Sequence, residues 1–200
     1  MRLQPPFLLK WLFADIQWSI PSHKGVLHLT FDDGPNPSTT PLLLALLIQY
    51  NIRATFFCTG ENIDKYPKLV DALKNDGHLI ANHGYNHAKT FSSKKIIKNA
   101  IIGSIASLSA TYRPPYGVIT PLSYFKLRKR FKIVMWDVMA YDFDSEISPK
   151  QCAQIVKKKA RDGSIIVFHD NEKSIDNCLR VLPELFEYFA GKGYQFTVIG

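Results

Sequence analysis

The 200-residue sequence is poor in cysteine and contains no apolar run as long as a membrane-spanning helix. Its three cysteines are Cys58, Cys152 and Cys178. Because this number is odd and the spacing shows no pairs, the sequence argues against a disulfide framework and favours a reducing compartment. The apolar segment 5–18 is interrupted by Lys10 and Asp15 and lacks a small-residue cleavage site, so it is not typical of a signal peptide. We therefore expect the protein in the cytoplasm, or peripherally bound at the inner membrane.

Acidic residues are also scarce, since 17 aspartates and glutamates face 25 lysines and arginines, which gives a net charge of +8. The basic residues gather at positions 94–95, 128–130 and 157–159, each within a predicted helix. No aromatic stacking motif or signature of a nucleic-acid-binding fold accompanies them, so we expect no nucleic-acid partner. We interpret them as solvent-exposed helix faces, while attraction to acidic glycans or anionic lipid head groups stays open.

The composition is that of one ordinary soluble domain, with 46% hydrophobic and 12% aromatic residues. A chain of this length can bury one sizeable core, and no repeat or linker divides it. We predict a single domain over residues 26–200, preceded by a short N-terminal segment, residues 1–25, whose helix over 5–18 packs on that domain. A monomer is expected.

Short apolar segments with strand character alternate with amphipathic helical segments. The predicted strands cover residues 26–31, 54–58, 78–81, a short segment before Arg113, 132–137, 164–168 and 194–199. The first predicted helix follows an N-cap at Thr40, and the others cover residues 67–75, 94–108, 121–131, 149–160 and 178–190. Strands separated by helices indicate parallel βαβ units. Because the strands number seven and not eight, we predict an α/β fold, a distorted, open (β/α)7 barrel of parallel strands similar to a TIM barrel.

Two carboxylates and two histidines stand out near the first predicted strands. Asp32 and Asp33 directly follow the first apolar strand and precede a Gly-Pro stop, although this sequence is also common in plain turns. His83 and His87 have the four-residue spacing that places two imidazoles on one face of a helical turn. One carboxylate with two imidazoles suits zinc or another divalent transition ion.

Three further motifs follow later strands. Arg113 opens the rigid turn Arg-Pro-Pro-Tyr-Gly, the pair Asp142-Phe143 lies beyond another strand, and His169 ends an apolar run. In a barrel of parallel strands all these strand ends lie on one face, where such enzymes have their active sites. The sequence therefore predicts one site that gathers the motifs.

In order and spacing, these motifs resemble the five motifs of the polysaccharide deacetylases, carbohydrate esterase family four, with its NodB homology domain. The resemblance covers residues 26–200 and implies the same barrel. It implies that a divalent metal ion, zinc first with cobalt, nickel or manganese as alternatives, is held by three ligands. These ligands are Asp33, His83 and His87.

The resemblance also implies roles for the remaining site residues in hydrolysis by metal-activated water. Asp32 is the expected general base and Arg113 its partner, while His169 is the expected general acid. Asp142 is expected to orient this histidine and raise its pKa. The remaining implied positions contact the substrate: the backbone amide of Tyr116 at the oxyanion, Phe143 as an apolar wall, and Val167 beside the acyl methyl group.

The chain departs from the family pattern at three positions. Gly84 stands where serine or threonine is usual, Met139 where many members have aspartate, and Phe143 where tryptophan is usual. Because Gly84 lacks the hydroxyl that stiffens the histidine loop, we predict a lowered metal affinity. None of the three removes a primary catalytic group.

The resulting expectation is a metal-dependent hydrolase that removes an N-acetyl, or less commonly O-acetyl, group from a carbohydrate or a lipid-linked sugar. An alternative on the same scaffold is hydrolysis of another non-peptide carbon–nitrogen bond, by a deformylase of a lipid-linked sugar or a cyclic amidase. A third reading is a catalytically silent glycan-binding module.

Overall fold

The structure is a computed structural model that describes residues 13, 15–21 and 25–200. All of its named strands pair in parallel. The strands are β1 Val26–Asp32, β2 Thr55–Cys58, β3 Leu79–Asn82, β4 Thr111–Tyr112, β5 Lys132–Ile133, β6 Val138–Met139, β7 Ile165–His169 and β8 Gln195–Phe196. The helices are α1 Thr40–Gln49, α2 Gly60–Lys65, α3 Pro67–Asn75, α4 Ser93–Ser107, α5 Pro121–Leu127, α6 Pro149–Lys159 and α7 Ile175–Ala190, with a 3₁₀ turn at Pro115–Gly117.

The strand order β5-β4-β3-β2-β1-β7-β6 places β1 at the centre of the sheet, with β8 paired to its beginning. The seven-stranded path curls into a half-open barrel with helices between its strands, which confirms the predicted distorted, open (β/α)7 barrel. At the end of β1, Asp32 lies opposite Phe57 of β2 and His169 of β7. The register therefore brings the motifs of β1 and β7 side by side.

The predicted strand over 132–137 is wrong in its extent, because only Lys132–Ile133 forms a strand, β5, at one edge of the sheet, whereas β6 at the other edge begins at Val138. Between these strands the chain crosses the opening of the barrel. The carbonyl groups of Val134 and Met135 accept hydrogen bonds from the Arg113 guanidinium, at 3.4 and 2.9 Å. Residues 134–137 lie outside the named strands, and Val138–Met139 adds an eighth strand.

The N-terminal prediction concerns residues that are largely outside the described part of the chain, since residues 1–12, 14 and 22–24 are not described. In the described part, Gln17 pairs with Val134 and Ser19 with Ser164 in isolated bridges. This stretch thus follows the sheet and is not helical at these two positions. The division of the chain at residue 25 stays a prediction.

The helix predictions are confirmed with shifts at their ends, and one short helix, α2, was not predicted. Proline occupies the first turn of α1, α3, α5 and α6, where a missing N–H costs no intrahelical bond. Capping boxes at Thr120–Ser123 and Ser148–Gln151 begin α5 and α6. None of the helices in the described residues is both long enough and apolar enough to cross a membrane.

The side chains of β1 alternate between the two faces of the sheet, which have different surroundings. Leu27, Leu29 and Phe31 are buried in the large core between the sheet and the helices. The alternate residues point to the other face, because successive strand side chains alternate. There Thr30 and Asp32 both contact Arg113, so a buried polar cluster lies beneath the site.

Candidate active site

The predicted site residues meet at a cavity of about 710 Å³ at the carboxyl ends of the strands. The lining residues predicted from the sequence are Asp32, Asp33, His83, His87, Tyr116, Met139, Phe143 and His169. Arg113 and Asp142 are fully buried behind this lining and contact it from below. Polar and charged side chains therefore line the cavity, and the buried charged side chains of Arg113 and Asp142 contact them from behind.

The turn after β1 presents Asp33 to the cavity. Its φ of 80° lies in the left-handed region, which aspartate tolerates better than most residues. Asp33 Oδ2 accepts a hydrogen bond from Asn171 Nδ2 at 2.6 Å, whereas the buried Oδ1 has no hydrogen-bond partner among the described residues. Burial raises the pKa of Asp33, but the neighbouring histidines and the hydrogen bond from Asn171 outweigh it and lower this pKa overall.

Below this turn, Asp170 connects the ends of β1 and β7. Its carboxylate accepts hydrogen bonds from the hydroxyls of Thr39 and Thr40, both at 2.5 Å. A Cβ atom at Gly34 would lie 2.2 Å from Asp170 Oδ2, so only glycine fits above this carboxylate. Burial raises the pKa of Asp170 to about 6.

Both histidines face the free carboxylate oxygen. His83 Nε2 lies 3.7 Å and His87 Nε2 lies 3.2 Å from Asp33 Oδ1. His83 Nδ1 lies 2.9 Å from the carbonyl oxygen of Arg113, which can only accept, so the proton is on Nδ1 and Nε2 offers a lone pair. Burial lowers the pKa of His83 and so favours this neutral form.

These donors fit a divalent ion. The three ligand atoms lie within 4.8 Å of one another, and the set combines one carboxylate with two imidazoles. An orphaned, buried carboxylate oxygen between two imidazole nitrogens is a cation-binding arrangement, because leaving such an oxygen unpaired is costly.

The predicted helical placement of the two histidines is wrong, because residues 83–87 form an irregular loop, here called the histidine loop. Gly84 adopts a φ of 80°, and a Cβ atom there would lie 2.5 Å from Asn99 Nδ2. Asn99, on α4, accepts from the backbone N–H groups of Tyr85 and Asn86 at 2.9 Å and donates to the Asn86 carbonyl at 2.8 Å. The loop is thus held by the Asn99 side chain, and the predicted loss of metal affinity stays a prediction.

Arg113 fixes the second carboxylate. Its Nη1 donates to Asp32 Oδ1 at 2.6 Å and to Thr30 Oγ1 at 2.9 Å. The guanidinium carbon lies 3.9 Å from the centre of the Phe57 ring, and the whole side chain is inaccessible to solvent. Burial lowers the pKa of Arg113, and the charge of Asp32 opposes this. Asp32 Oδ2 remains directed towards the site, 3.9 Å from His83 Nε2.

At the end of β7, Asp142 holds His169 through two contacts. Oδ1 accepts from Nδ1 at 2.9 Å, and Oδ2 accepts from the His169 backbone N–H at 2.7 Å. Burial lowers the pKa of His169, but the charge and hydrogen bond of Asp142 outweigh it and raise this pKa to about 9. The Phe143 ring meets the imidazole edge-on at 4.9 Å. His169 is therefore an oriented, protonated group near neutral pH.

Of the residues predicted to contact the substrate, Tyr116 lines the cavity and Val167 does not. Tyr116 has a φ of 57° and lies against the His87 ring at 4.4 Å. Among the hydrogen bonds of the described residues none uses its backbone N–H, which is free to donate. Val167 is fully buried and does not line the cavity, so its contact with an acyl group stays a prediction.

Several residues of the site were missed by the sequence analysis. Asn171 holds Asp33 and could have been found from its position two residues beyond His169 at a strand end. The thiol of Cys178 on α7 donates to Asp142 Oδ2 at 3.5 Å, and nothing in its spacing indicates this. Trp136 lines the cavity, although the sequence analysis gave it no role.

Comparisons with known proteins agree with this geometry. The family model for polysaccharide deacetylase matches residues 19–129. The chain is 35% identical over 196 residues to a peptidoglycan-N-acetylglucosamine deacetylase of Bacillus cereus, with 91% of this chain and 70% of the relative covered. It is 34% identical over 172 residues to chitin deacetylase 2 of Saccharomyces cerevisiae, with 78% and 54% covered.

Solved structures show the same fold. A crystal structure of a peptidoglycan N-acetylglucosamine deacetylase is similar with a TM-score of 0.84 and 30% identity, over 98% of this chain and 95% of that chain. A pseudoenzyme of carbohydrate esterase family four from Bacillus anthracis is similar in fold, with a TM-score of 0.78 and 21% identity over 92% and 67% of the chains. The chain therefore belongs to the polysaccharide deacetylase family, carbohydrate esterase family four, and is a hydrolase.

Proposed function

We propose that this protein is a metal-dependent deacetylase that hydrolyses the N-acetyl group of an acetylated carbohydrate, with zinc as the first candidate ion. One observation carries the proposal: the orphaned, buried Asp33 Oδ1 faces two imidazole nitrogens between two ordered charge pairs. The first pair is Asp32–Arg113 and the second is His169–Asp142. A silent binding module would not need either pair.

Asp33, His83 and His87 would hold the ion. When bound, a divalent ion supplies Lewis acidity, because it polarises a substrate carbonyl and lowers the pKa of water. A zinc site with three protein ligands leaves a position open for chemistry, and cobalt, nickel or manganese could bind the same donors.

Asp32 is proposed to accept the proton of the attacking water at Oδ2. The other oxygen is occupied by Arg113, which fixes the carboxylate plane at the cavity. Asp32 and Asp33 are neighbours in sequence but occupy different positions at the end of β1, so one can act as base while the other binds the ion.

His169 is proposed to give a proton from Nε2 to the leaving amine. Its Nδ1 proton is engaged with Asp142, so Nε2–H is the one available to the cavity. An amine is a poor leaving group until it is protonated, which makes this acid essential for amide cleavage. The free backbone N–H of Tyr116 would donate to the oxygen on which negative charge develops.

The names of the relatives support the substrate class, since they act on peptidoglycan and chitin. The cavity of about 710 Å³ falls within the range of small-ligand sites, about 300–1,000 Å³, and its aromatic lining suits the apolar faces of sugar rings.

A screen of acetate and formate release tests the proposal. Chitin oligomers, peptidoglycan fragments and acetylated xylan are incubated with wild type, metal-free protein and His87→Ala, with metal content measured in each. We expect acetate release from N-acetylated glycans, loss with chelation, recovery with zinc, and a lower metal content in His87→Ala. Formate release would instead support the deformylase reading, and equal metal content in wild type and His87→Ala would contradict the ligand assignment.

We also propose a reducing location, in the cytoplasm or at the inner membrane, and a monomeric state. The location is supported by the cysteines, because all three are buried free thiols. Cell fractionation tests the location, and recovery of the protein outside the cell would overturn it.

A further inference from the structure

A second depression, here called the basic groove, lies on the other side of the histidine loop and measures about 370 Å³. Asn86 and Ala88 line the basic groove, while His87 between them lines the catalytic cavity. The two depressions are therefore separated by the width of one loop. A chain of sugars bound across the cavity would reach the basic groove with its neighbouring units.

The basic groove carries concentrated positive charge. Lys89, Lys95 and Lys98 line it, and no aspartate or glutamate belongs to its lining. Among the described residues, none of the ion pairs involves these three lysines. Lys95 and Lys98 project from the same face of α4, because residues three apart on a helix are neighbours.

The groups around the basic groove leave this charge in place. The carboxylates of Glu61 and Asp64 act on Tyr85, which lines the groove, but do not line it themselves. Lys89 Nζ lies 5.8 Å from the centre of the Tyr116 ring, and this ring also borders the catalytic cavity. Positive potential thus extends from the basic groove to the edge of the reaction site.

From this arrangement we infer that the basic groove binds an anionic substituent, a carboxylate or a phosphate, on a sugar unit next to the one that is deacetylated. The inference rests on the proposed function and narrows its substrate to acidic glycans. Mutual repulsion among three unpaired lysines is relieved when an anion enters, and the interaction weakens as salt screens it.

The test compares acidic and neutral substrates in the zinc-loaded enzyme. The neutral substrate is an N-acetylglucosamine oligomer. The acidic ones are a peptidoglycan fragment of similar length, with its carboxylates free or blocked as methyl amides, and a phosphorylated N-acetylglucosamine oligomer. These two acidic substrates distinguish a carboxylate from a phosphate as the recognised group.

The variant Lys95→Gln/Lys98→Gln removes charge from the basic groove, and Lys95→Arg/Lys98→Arg keeps it. Lys68→Gln/Lys74→Gln on α3 is the matched control, because both lysines are exposed and line neither depression. We expect the glutamine variant to raise KM for at least one acidic substrate about 3- to 10-fold at unchanged kcat, and to flatten the salt dependence of that KM. The arginine variant and the α3 control should match wild type.

Three results would overturn the inference. The glutamine variant could change KM for the neutral or blocked substrates as much as for the acidic ones, the α3 control could have the same effect as the glutamine variant, or KM could stay unchanged with both acidic substrates. In each of these cases wild type still releases acetate, so the proposed function survives. If wild type releases no acetate from any substrate, the proposed function itself fails and the inference falls with it.

Discussion

Asn171 Nδ2 lies 2.6 Å from Asp33 Oδ2, so the loop after β7 holds the carboxylate that faces the proposed metal site. The same side chain accepts the backbone N–H groups of Lys173 and Ser174 through Oδ1, both at 3.1 Å. These contacts settle which end of the amide points to Asp33. The carboxylate therefore keeps Oδ1 free for a cation.

Asn171→Ala should lower metal affinity about 10- to 100-fold, the usual effect of removing a partner of a metal ligand. Competition with a chromogenic chelator measures the affinity, and Asn75→Ala, a change at an exposed asparagine at the end of α3, is the control. Activity at saturating metal should largely return. Unchanged affinity in Asn171→Ala would show that the hydrogen bond does not support the ligand.

The effects of substitutions at Gly84 and Asn99 should depend on each other, because a side chain at position 84 would meet the Asn99 amide. Asn99→Ala removes three hydrogen bonds from the histidine loop, and we expect weaker metal binding. Gly84→Ser alone should destabilise the protein by about 1–2 kcal/mol through its left-handed backbone, with a further steric cost.

A double-mutant cycle separates these two effects. In the Asn99→Ala background the steric cost of Gly84→Ser disappears while the backbone strain stays, so the pair should couple by about 0.5–3 kcal/mol in chemical denaturation. Additive effects would mean that the two residues act independently. Ser104→Ala is the control, because Ser104 lies on the same helix and its hydroxyl donates to the Ile101 carbonyl of that helix.

Arg113 is expected to be essential for stability as well as for catalysis. Arg113→Met leaves the buried Asp32 carboxylate without its cation and should cost about 3–5 kcal/mol of unfolding free energy. Adding Asp32→Asn should recover part of this loss, because the uncompensated charge is then removed. Denaturant titration measures both, and a double variant no more stable than the single one would refute the charge explanation.

Local patterns were sufficient to predict much of the fold and the site. The alternation of β1 and the strand-end position of Asp32, Asp33 and His169 are properties of short segments, and strand ends of a parallel barrel share one face. For the same reason the structure brings the predicted metal ligands and the acid together around one cavity.

Contacts between distant segments account for the two local predictions that were wrong, the strand over 132–137 and the helical turn of the histidines. The strand predicted over 132–137 stops at Ile133, and the carbonyl groups of Val134 and Met135 accept hydrogen bonds from Arg113, which is 21 and 22 positions earlier. The histidine loop is not helical because Gly84 turns left-handed beneath Asn99, which arrives from a later helix. No pattern within either segment encodes the distant partner.

The His169–Asp142 pair gives the most discriminating prediction, since it separates proton transfer from metal binding. His169→Ala should keep full metal occupancy, because His169 is not among the three clustered ligands. Amide hydrolysis should nevertheless fall by about 10²–10⁴-fold, with a smaller loss for an activated ester that needs no protonated leaving group. Loss of the metal in His169→Ala, or intact amide hydrolysis, would exclude the acid role.

The pH dependence tests Asp142 in the same pair. An acid with a pKa near 9 is protonated at neutral pH and loses its proton as the pH rises, so it sets the alkaline limb of the kcat profile. In Asp142→Asn the charge that raises this pKa is gone while burial still lowers it, so the alkaline limb should move to lower pH. A bound cation acts in the same direction, and the comparison therefore uses both proteins at full metal loading. An unmoved alkaline limb would show that some group other than His169 donates the proton.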